Sequence, residues 1–329
     1  MKNFSAKNAE FETVTINNEA AISSADLGTA PNQIPLNKDL GSLAYQDAVN
    51  LDDVSADMLE LRAIAAEISD SAVDVFVYDT SRDSDGGAWR KRTSHTSWYN
   101  EELNTATRGA RREFPAVAVI VAEADKVTIY DGDDPDLSMW MVFEGGNGNT
   151  YFLGAATYTS ISILNGKLIC ASGGGSRECN FISEYMFQRR SSLANTKIYY
   201  SFISNRNGSL DRVETSVSSS ELIVQDSIND VAMTILPNAP IDDDTGLPVP
   251  TIAVATDGGV SVIKDDGTVV SKATTAAAVN QVKWMGPSRL VASAPVYYGV
   301  FDDPFVEESD AFLGYISDNV YNADPSKNH

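Results

Sequence analysis

The chain has 329 residues, of which 43% are hydrophobic, so it is long enough for one large domain or two ordinary ones with a sizeable core. Its 46 acidic and 24 basic residues give a formal net charge of -22, which argues against nucleic acid as a partner, because phosphate contacts require clustered lysine and arginine. We find no run of about 18–20 apolar residues and no signal-peptide core, so we expect synthesis in the cytoplasm and no membrane insertion.

The first fifty residues are rich in Asn, Ala, Ser and Asp, and they show no sustained hydrophobic period. Residues 11–24, "FETVTINNEAAISS", alternate enough to predict one strand. Residues 27–49, "LGTAPNQIPLNKDLGSLAYQDAV", contain two prolines and no helical pattern. A segment this polar cannot easily bury itself. We therefore predict an extended attachment arm over residues 1–50, which is either disordered or ordered against another chain.

A short helix is predicted over residues 51–72. Its apolar positions are spaced by four, three, four and three residues, which is a heptad pattern. Ser55 suits the helix N-cap. The helix packs on its own domain or joins identical subunits, and two heptads are too short to do the latter without help. The candidate subunit contacts are Val54, Met58, Leu61, Ala65 and Ile68.

From residue 73 to 329 the pattern changes to strands. Runs of β-branched or aromatic residues are bounded by Gly, Asp, Asn or Pro, which predicts an all-β domain. A short helix near residues 98–107 is the one interruption that we expect. The predicted strands include "VDVFVYD", "AWRKRT", "AVAVIVAEADKVTIYD", "LSMWMVF", "TSISILNGKLICAS", "TKIYYSFIS", "ELIVQ", "VAMTIL", "TIAVATDGGVSVIKDDGTVVS", "NQVKWM" and "RLVASAPVYYGVF".

An internal repeat favours one architecture for this domain. The segments that begin at Pro115 and Pro250 both predict a strand, a tight turn, a strand, an acidic turn and further strands. Their offset of 135 positions suggests three units of about 45 residues, the usual length of a propeller blade. We therefore predict a mainly β chain with a propeller-like antiparallel domain, with a β-sandwich or jelly roll as the alternative. We expect the domain to be incomplete at its C-terminus.

Several acidic stretches resemble metal sites at first sight. Residues 130–136, "YDGDDPD", and 241–246, "IDDDTG", supply carboxylates, but neither has the spacing of an EF-hand loop. In "IAVATDGGVSVIKDDGTVV" the acids Asp257, Asp265 and Asp266 stand beside glycines at the ends of alternating runs. Turns between strands need Asp, Asn and Gly. We interpret all of these acids as turn residues and predict no metal site.

No catalytic constellation is evident. A Ser-His-Asp arrangement would have to use His95, and a Gly-x-Ser-x-Gly nucleophile motif does not occur. The glycines of residues 173–176, "GGGS", predict a hairpin connection rather than a phosphate loop. Cys170 and Cys179 are interpreted as buried or free thiols, with a disulfide as a less favoured alternative. We predict no enzyme activity, no cofactor and no catalytic residue, although a facing carboxylate pair cannot be recognised from sequence.

One stretch departs from the acidic background, and we call it the cationic patch. Six cations gather within 23 positions, interleaved with aromatic residues. The patch would dock an acidic partner or a neighbouring subunit, or its cations would form ordinary ion pairs with Glu101, Glu102 and Glu113. The patch consists of Arg90, Lys91, Arg92, Arg108, Arg111 and Arg112.

Residues 27–49 and 89–143, about a quarter of the chain, resemble virion proteins of marine tailed bacteriophages. The resemblance is to long tail-fibre or appendage proteins of podovirus-type phages. It implies a structural virion component with an N-terminal attachment segment, a homotrimer as the usual assembly, and no catalytic residues to carry over.

These observations lead to one hypothesis and two alternatives. The hypothesis is a phage virion structural protein of the tail fibre or appendage, whose arm docks on other virion tail or connector proteins and whose β domain forms part of the fibre. The alternatives are a carbohydrate-binding propeller that recognises a host-surface glycan and, less favoured, a glycan-degrading enzyme. Its expected location is the virion.

Overall fold

The computed structural model describes the backbone of Thr13–Ile16 and Glu19–Ser23 and then residues 71–146, 151–193, 196–199, 202–208, 210, 212–213, 218–273, 278–286, 289–294 and 297–301. The chain divides into two compact units, Met1–Glu60 and Leu61–His329. All five heptad positions and most of the arm and helix predictions lie outside the described residues.

The first unit contains a hairpin. β1 (Thr13–Ile16) pairs antiparallel with β2 (Glu19–Ser23). The prediction of one strand here was wrong, because the two asparagines in the middle of the run separate two strands, and Asn is a frequent turn residue.

The second unit begins with a sheet of consecutive strands. Sheet 1 contains β3 (Ala72–Asp79), β4 (Val117–Glu123), β5 (Lys126–Asp131), β6 (Met139–Gly146) and β7 (Leu153–Gly154). The strands lie in chain order, and all neighbours pair antiparallel except β6 and β7, which are parallel. β3 begins at Ala72, so the predicted helix cannot extend to that residue.

Sheet 2 is the largest sheet, and its strands also follow chain order. It contains β8 (Tyr158–Leu164), β9 (Lys167–Ser172), β10 (Gly175–Asn180), β11 (Met186–Arg189), β12 (Lys197–Tyr199) and β13 (Arg212–Val213). All neighbouring strands pair antiparallel. The predicted hairpin connection at the "GGGS" stretch is confirmed, since it joins β9 to β10.

Two smaller antiparallel sheets complete the described part of this unit. Sheet 3 contains β14 (Ile228–Thr234), β15 (Thr251–Thr256), β16 (Gly259–Ile263) and β17 (Val269–Ala273). Sheet 4 contains β18 (Gln281–Trp284), β19 (Leu290–Ala294) and β20 (Tyr297–Phe301).

Neighbouring sheets meet at their first strands. β3 contacts β8, β8 contacts β14, and β14 contacts β18. Residues from all four of these strands, including Phe76, Ile163, Met233 and Trp284, line one cavity of about 290 Å³. The chain is therefore mainly β with antiparallel sheets, as predicted, and the contacts between first strands of successive sheets are compatible with the predicted propeller.

The strand period of two explains how each middle sheet packs on both sides. In β9, Leu168 and Cys170 belong to a core shared with sheet 1, whereas Ile169 and Ala171 belong to a core shared with sheet 3. β15 divides in the same way, because Ala253 lies in the core that reaches sheet 4 and not in the core that reaches sheet 2. Both faces of these sheets are covered.

The largest core contains a cluster of aromatic rings between sheets 1 and 2. Trp98, Phe114, Trp140 and Phe181 contact one another with mostly edge-to-face geometry, at centroid distances of 4.8–5.9 Å. The indole nitrogen of Trp98 donates to the carbonyl of Phe181 at 2.8 Å. This contact fixes the long connection between β3 and β4 against sheet 2.

Three local predictions were wrong. Residues 88–92 of the predicted "AWRKRT" strand form a 3-10 helix, Ala88–Arg92, in which Trp89 alone is fully buried. The predicted helix near 98–107 consists of turns, since its polar side chains bond to local carbonyls. The predicted strand "ELIVQ" begins in another 3-10 helix, Ser219–Glu221, and its remaining residues are irregular.

The predicted repeat had the right order of strands within each unit, but the number of units was wrong. Pro115 precedes β4 and Pro250 precedes β15. β4 and β15 are each the second strand of their sheet. The 135 positions between them therefore span two described sheets rather than three units of 45 residues. Each of these two sheets takes up more residues than an ordinary blade. In sheet 1 the connection between β3 and β4 is long, and sheet 2 has six strands.

The aromatic cluster generates a stability prediction. We expect Trp98→Ala to lower the free energy of unfolding by about 3–5 kcal/mol, because it removes a fully buried ring and leaves a cavity. Met285→Ala is the control, since Met285 is exposed and should change stability by no more than about 0.5 kcal/mol. Urea denaturation measures both, and equal effects would show that the ring cluster does not hold the fold.

Candidate functional site

A groove opens between sheet 2 and sheet 3. Its cavity has a volume of about 370 Å³. β9, β10 and β11 form its floor, residues 242–250 form one wall, and the β16–β17 turn at residues 265–267 forms another. We call this cavity with its floor and walls the groove.

Alternate side chains of β10 and β11 face the groove. Because Glu178 and Arg189 are among them, the floor is polar. Glu178 lies opposite Ile169 on one side and Phe187 on the other. Nearer to β8, this face of sheet 2 is apolar and packs on sheet 3 through Ile169 and Ala171. Farther out it carries polar side chains. The apolar contact between the sheets therefore ends where the groove begins.

A buried ion-pair network forms the centre of the floor. Glu178 is 1% exposed, and its carboxylate contacts Lys167 Nζ at 3.0 Å and Arg189 Nε at 3.1 Å. Burial raises the pKa of Glu178, but the charges and hydrogen bonds of Lys167 and Arg189 outweigh it, and the pKa falls to about 2. Lys167 and Arg189 therefore keep Glu178 ionised at neutral pH, a state that does not suit a general acid.

Arg189 also joins the two sheets. Its Nη1 donates to the carbonyl of Glu221 at 2.7 Å and to that of Gly267 at 3.2 Å. Gly267 has a φ of +82°, a left-handed conformation that favours glycine in this turn. One guanidinium thus sets the position of the floor relative to the sheet 3 wall.

A row of three side chains follows β11 on the groove side. Tyr185 and Phe187 stack with an interplanar angle of 13° and a centroid distance of 6.1 Å. The guanidinium of Arg189 lies 4.6 Å from the centroid of the Phe187 ring. Tyr185 is 44% exposed and lines the groove.

Acidic residues line the walls. Asp242 caps its own turn, because its Oδ1 accepts from the backbone nitrogens of Asp244 and Thr245 at 2.9 Å each. Asp266 does the same by accepting from the nitrogen of Thr268 at 2.9 Å. The interpretation of these acids as turn residues is thereby supported, but it was incomplete, because Asp242, Asp244, Asp265 and Asp266 also line the groove.

The structure gives most of the cationic patch an internal role. Arg90 Nε donates to the carbonyl of Phe114 at 2.7 Å, and Arg92 pairs with Asp85 at 2.8 Å. Arg111 pairs with Asp131 and Asp133, and Arg112 donates to the carbonyl of Tyr99. Lys91 is exposed. A docking role for the exposed members stays a prediction.

Arg108 cannot belong to a docking surface, because its side chain is fully buried. It lies over the Trp140 ring at 4.4 Å and donates to the carbonyls of Trp140 and Arg112. Burial lowers its pKa to about 10. Glu101 lies 3.7 Å away and makes a two-oxygen contact with the buried Arg206 at 2.9 Å.

The other predicted candidates are placed as follows. Cys170 and Cys179 are buried free thiols, as predicted. His95 is exposed, and its Nδ1 lies 3.0 Å from the carbonyl of Arg92. Over the described residues, no group of three or more His, Cys, Asp or Glu side chains has the arrangement of a metal site. No helix in that part of the chain has the length and hydropathy needed to cross a membrane.

Comparison with known proteins places the chain in no family. No protein-family model matches it, and no curated protein sequence matches it. Among solved structures, the extracellular domain of a hybrid two-component system from B. thetaiotaomicron is 6% identical over 56% of this chain, with a TM-score of 0.36, and the chain spans 21% of that protein.

Two other solved structures give similar values. The computationally designed Ika4 protein is 10% identical over 56% of this chain and 84% of its own, with a TM-score of 0.31. A functionally unknown protein from Desulfotomaculum acetoxidans is 10% identical over 60% of this chain and 65% of its own, with a TM-score of 0.34. Since all three TM-scores are below 0.5, none of these likenesses carries an argument.

The floor network generates a prediction about pH. We expect Glu178→Gln to lower the free energy of unfolding at pH 7 by about 3–5 kcal/mol, because the buried Arg189 loses its counter-charge. The native pKa of Glu178 is about 2 and its ordinary value is 4.5. Its contribution is therefore complete above about pH 4.5 and is lost as the pH falls toward 2.

Urea denaturation at a series of pH values measures this difference. The gap between the wild type and Glu178→Gln should narrow between pH 4.5 and pH 2. Glu102→Gln, at an exposed glutamate, is the control and should stay within about 0.5 kcal/mol of the wild type. A gap that is constant with pH would mean that the ionised carboxylate does not contribute.

Proposed function

We propose that the all-β domain is a binding module that holds a cell-surface glycan in the groove without cleaving it. The observation that carries this proposal is Tyr185, whose exposed ring is stacked on Phe187 above a fixed polar floor. A sugar ring has an apolar face that stacks on an aromatic side chain and hydroxyls that bond to polar neighbours. Asn180 and Ser183 supply such neighbours in the lining.

Binding without cleavage is supported by the state of the floor carboxylate. Glycoside hydrolysis requires one carboxyl group that is protonated and can donate to the leaving oxygen. Glu178 is held ionised by Lys167 and Arg189, and both of its oxygens are engaged by these cations. It is therefore suited to positioning Arg189 rather than to proton transfer.

The setting that we propose is a virion appendage. This second part rests on the resemblance of residues 27–49 and 89–143 to phage tail-fibre proteins and on the polar arm that precedes the all-β domain. In this setting the arm would attach to other tail or connector proteins, the chain would assemble as a homotrimer, and the groove would meet the host surface.

The glycan proposal predicts a loss of binding when the aromatic face is removed. Tyr185→Ala should weaken the binding of any glycan that a glycan array identifies by roughly three- to tenfold, because a stacking contact is lost. Phe202→Ala removes a still more exposed ring outside the groove and should leave the affinity unchanged. Isothermal titration of both variants measures this, and new reducing ends after incubation with the glycan would contradict binding without cleavage.

The virion proposal is tested separately. Light scattering should give the mass of three copies of the full chain, and the protein should co-sediment with purified virions of its phage. Removal of residues 1–50 should abolish co-sedimentation and leave glycan binding intact, because the arm and the groove belong to different parts of the chain. A monomer that fails to co-sediment would overturn the virion role and leave the glycan role standing.

A further inference from the structure

We propose that two copies of this chain meet head to tail, with sheet 1 of one copy packed against sheet 4 of the next. This inference goes beyond the glycan function and adds a contact for the proposed homotrimer. The observation that carries it is a hydrogen bond that repeats from each described sheet of the second unit to the next.

The repeated hydrogen bond joins the first strands of neighbouring sheets. In each case a carboxylate or hydroxyl oxygen on one first strand accepts from a backbone nitrogen on the next first strand. We call the residues that carry these oxygens the acceptor residues. The three bonds run from the nitrogen of Ile161 to Asp74 Oδ2 at 2.8 Å, from that of Val231 to Ser160 Oγ at 3.4 Å, and from that of Val282 to Asp230 Oδ2 at 2.9 Å.

A shared irregularity shows that the three acceptor residues are equivalent. The pairing of β3, β8 and β14 with their second strands shifts in register just before the acceptor residue, as at a β-bulge. The residue after the acceptor therefore has the same place in each of these sheets. The shifts lie between Ala72 and Asp74, between Tyr158 and Ser160, and between Ile228 and Asp230.

The residues that donate these hydrogen bonds also pack on the preceding sheet. Ile161 lies in the core shared with sheet 1, Val231 in the core shared with sheet 2, and Val282 in the core shared with sheet 3. Their exposed fractions are 2%, 6% and 5%. Each sheet is thus held to the preceding one by an apolar side chain and by the backbone nitrogen of the same residue.

Val75 has the equivalent place in sheet 1, because it follows Asp74. It is nevertheless 48% exposed, and Val73 and Val77, on the same side of β3, are 47% and 63% exposed. We call this side of sheet 1 its outer face. The described part of this unit contains no sheet that precedes sheet 1. An exposed row of apolar side chains is typical of an interaction site.

Sheet 4 carries the complementary half of such an interface. Val282 and Trp284 belong to the core shared with sheet 3, so the alternation of β18 places Gln281 and Lys283 on the opposite, outer face. Both of these side chains are exposed. Gln281 comes directly before Val282 and so has the place of an acceptor residue. Its amide oxygen is able to accept a backbone N–H.

The second strand of sheet 4 supplies an apolar side chain to the same outer face. Val291 lies opposite Lys283 and is half-buried. The equivalent residue of sheet 2 is Ile169, which lies opposite Ser162 and packs on sheet 3. The outer face of sheet 4 therefore has the features with which sheet 2 receives its neighbour.

One chain thus carries both halves of the repeated interface, at opposite ends of its series of sheets. A second copy is the occupant that matches both halves, because its Gln281 would accept from the nitrogen of Val75 and its Val291 would face the row of valines. The two faces differ, so the contact is heterologous, and contacts of this type close into rings. The proposed homotrimer would be such a ring.

A charge on the outer face of sheet 1 tests the contact. Val75→Asp should raise the dissociation constant of the assembly roughly tenfold or more, because the contact would bury an unpaired carboxylate. Leu193→Asp is the matched control, since Leu193 is also 48% exposed and does not belong to either outer face. Light scattering over a dilution series measures both. Neither variant should change the glycan affinity, because the groove lies between sheets 2 and 3.

Engineered cysteines identify the occupant. Val75→Cys and Gln281→Cys are prepared as separate variants of the full chain, and one of them is isotope-labelled. After dilution, mixing, reconcentration and oxidation, we expect disulfide-linked pairs with the mass of one copy of each variant. Each variant alone should give no linked pair, and neither should Val75→Cys mixed with Leu193→Cys. Both native cysteines are buried and should not interfere.

Four results would overturn the inference. Linked pairs of Val75→Cys alone would identify a contact between two copies of sheet 1. A disulfide within one chain of the double variant Val75→Cys/Gln281→Cys would show that sheet 4 of the same copy covers the face. A wild-type chain that stays monomeric at every concentration would remove the second copy together with the proposed homotrimer. A trimer that Val75→Asp does not weaken would leave the homotrimer standing and exclude this contact. Glycan binding decides the proposed glycan function independently of all four.

Discussion

The contact between Glu178 and Arg189 constrains both the packing of sheets 2 and 3 and the form of the groove between them. A carboxylate that is 1% exposed must be matched by cations, and a buried guanidinium must have acceptors for its remaining N–H groups. Arg189 finds two of these acceptors on backbone carbonyls that belong to the sheet 3 side. The charge requirement of one side chain therefore specifies where a neighbouring sheet must lie.

The same principle acts at the other side of sheet 2. Arg206 is 1% exposed and donates to the carbonyls of Val142 and Thr107 at 2.7 and 2.8 Å, while Glu101 neutralises it. Although the chain has few basic residues, several of them, such as Arg189 and Arg206, are therefore buried. The cations hold connections whose sequences are too irregular to be held by strand pairing, and the remaining surface is left strongly acidic.

Sequence reasoning succeeded where the pattern of one strand decides its position. Val117–Glu123 and Thr251–Thr256 are continuous apolar runs, and they lie in the cores as second strands of their sheets. It failed at β10 and β11, "GSRECN" and "MFQR", because buried Arg, Glu and Gln resemble a surface loop. Their burial depends on partners that come from distant positions, such as Gly267, and no local pattern reveals these. The groove was missed for the same reason, since these are two of the three strands that form its floor.

The residue that follows Glu178 on β10 is a cysteine, and its burial affects the reactivity of its thiol. Cys179 and Cys170 are both buried, and burial raises the pKa of the Cys170 thiol to about 12 and that of Cys179 well above its usual range. A thiol that does not ionise is a poor nucleophile toward disulfides and oxidants. Burial therefore protects both cysteines of the sequence from disulfide exchange and oxidation while the protein stays folded. A protein assembled in a reducing cytoplasm and released into an oxidising exterior would keep the same covalent structure in both.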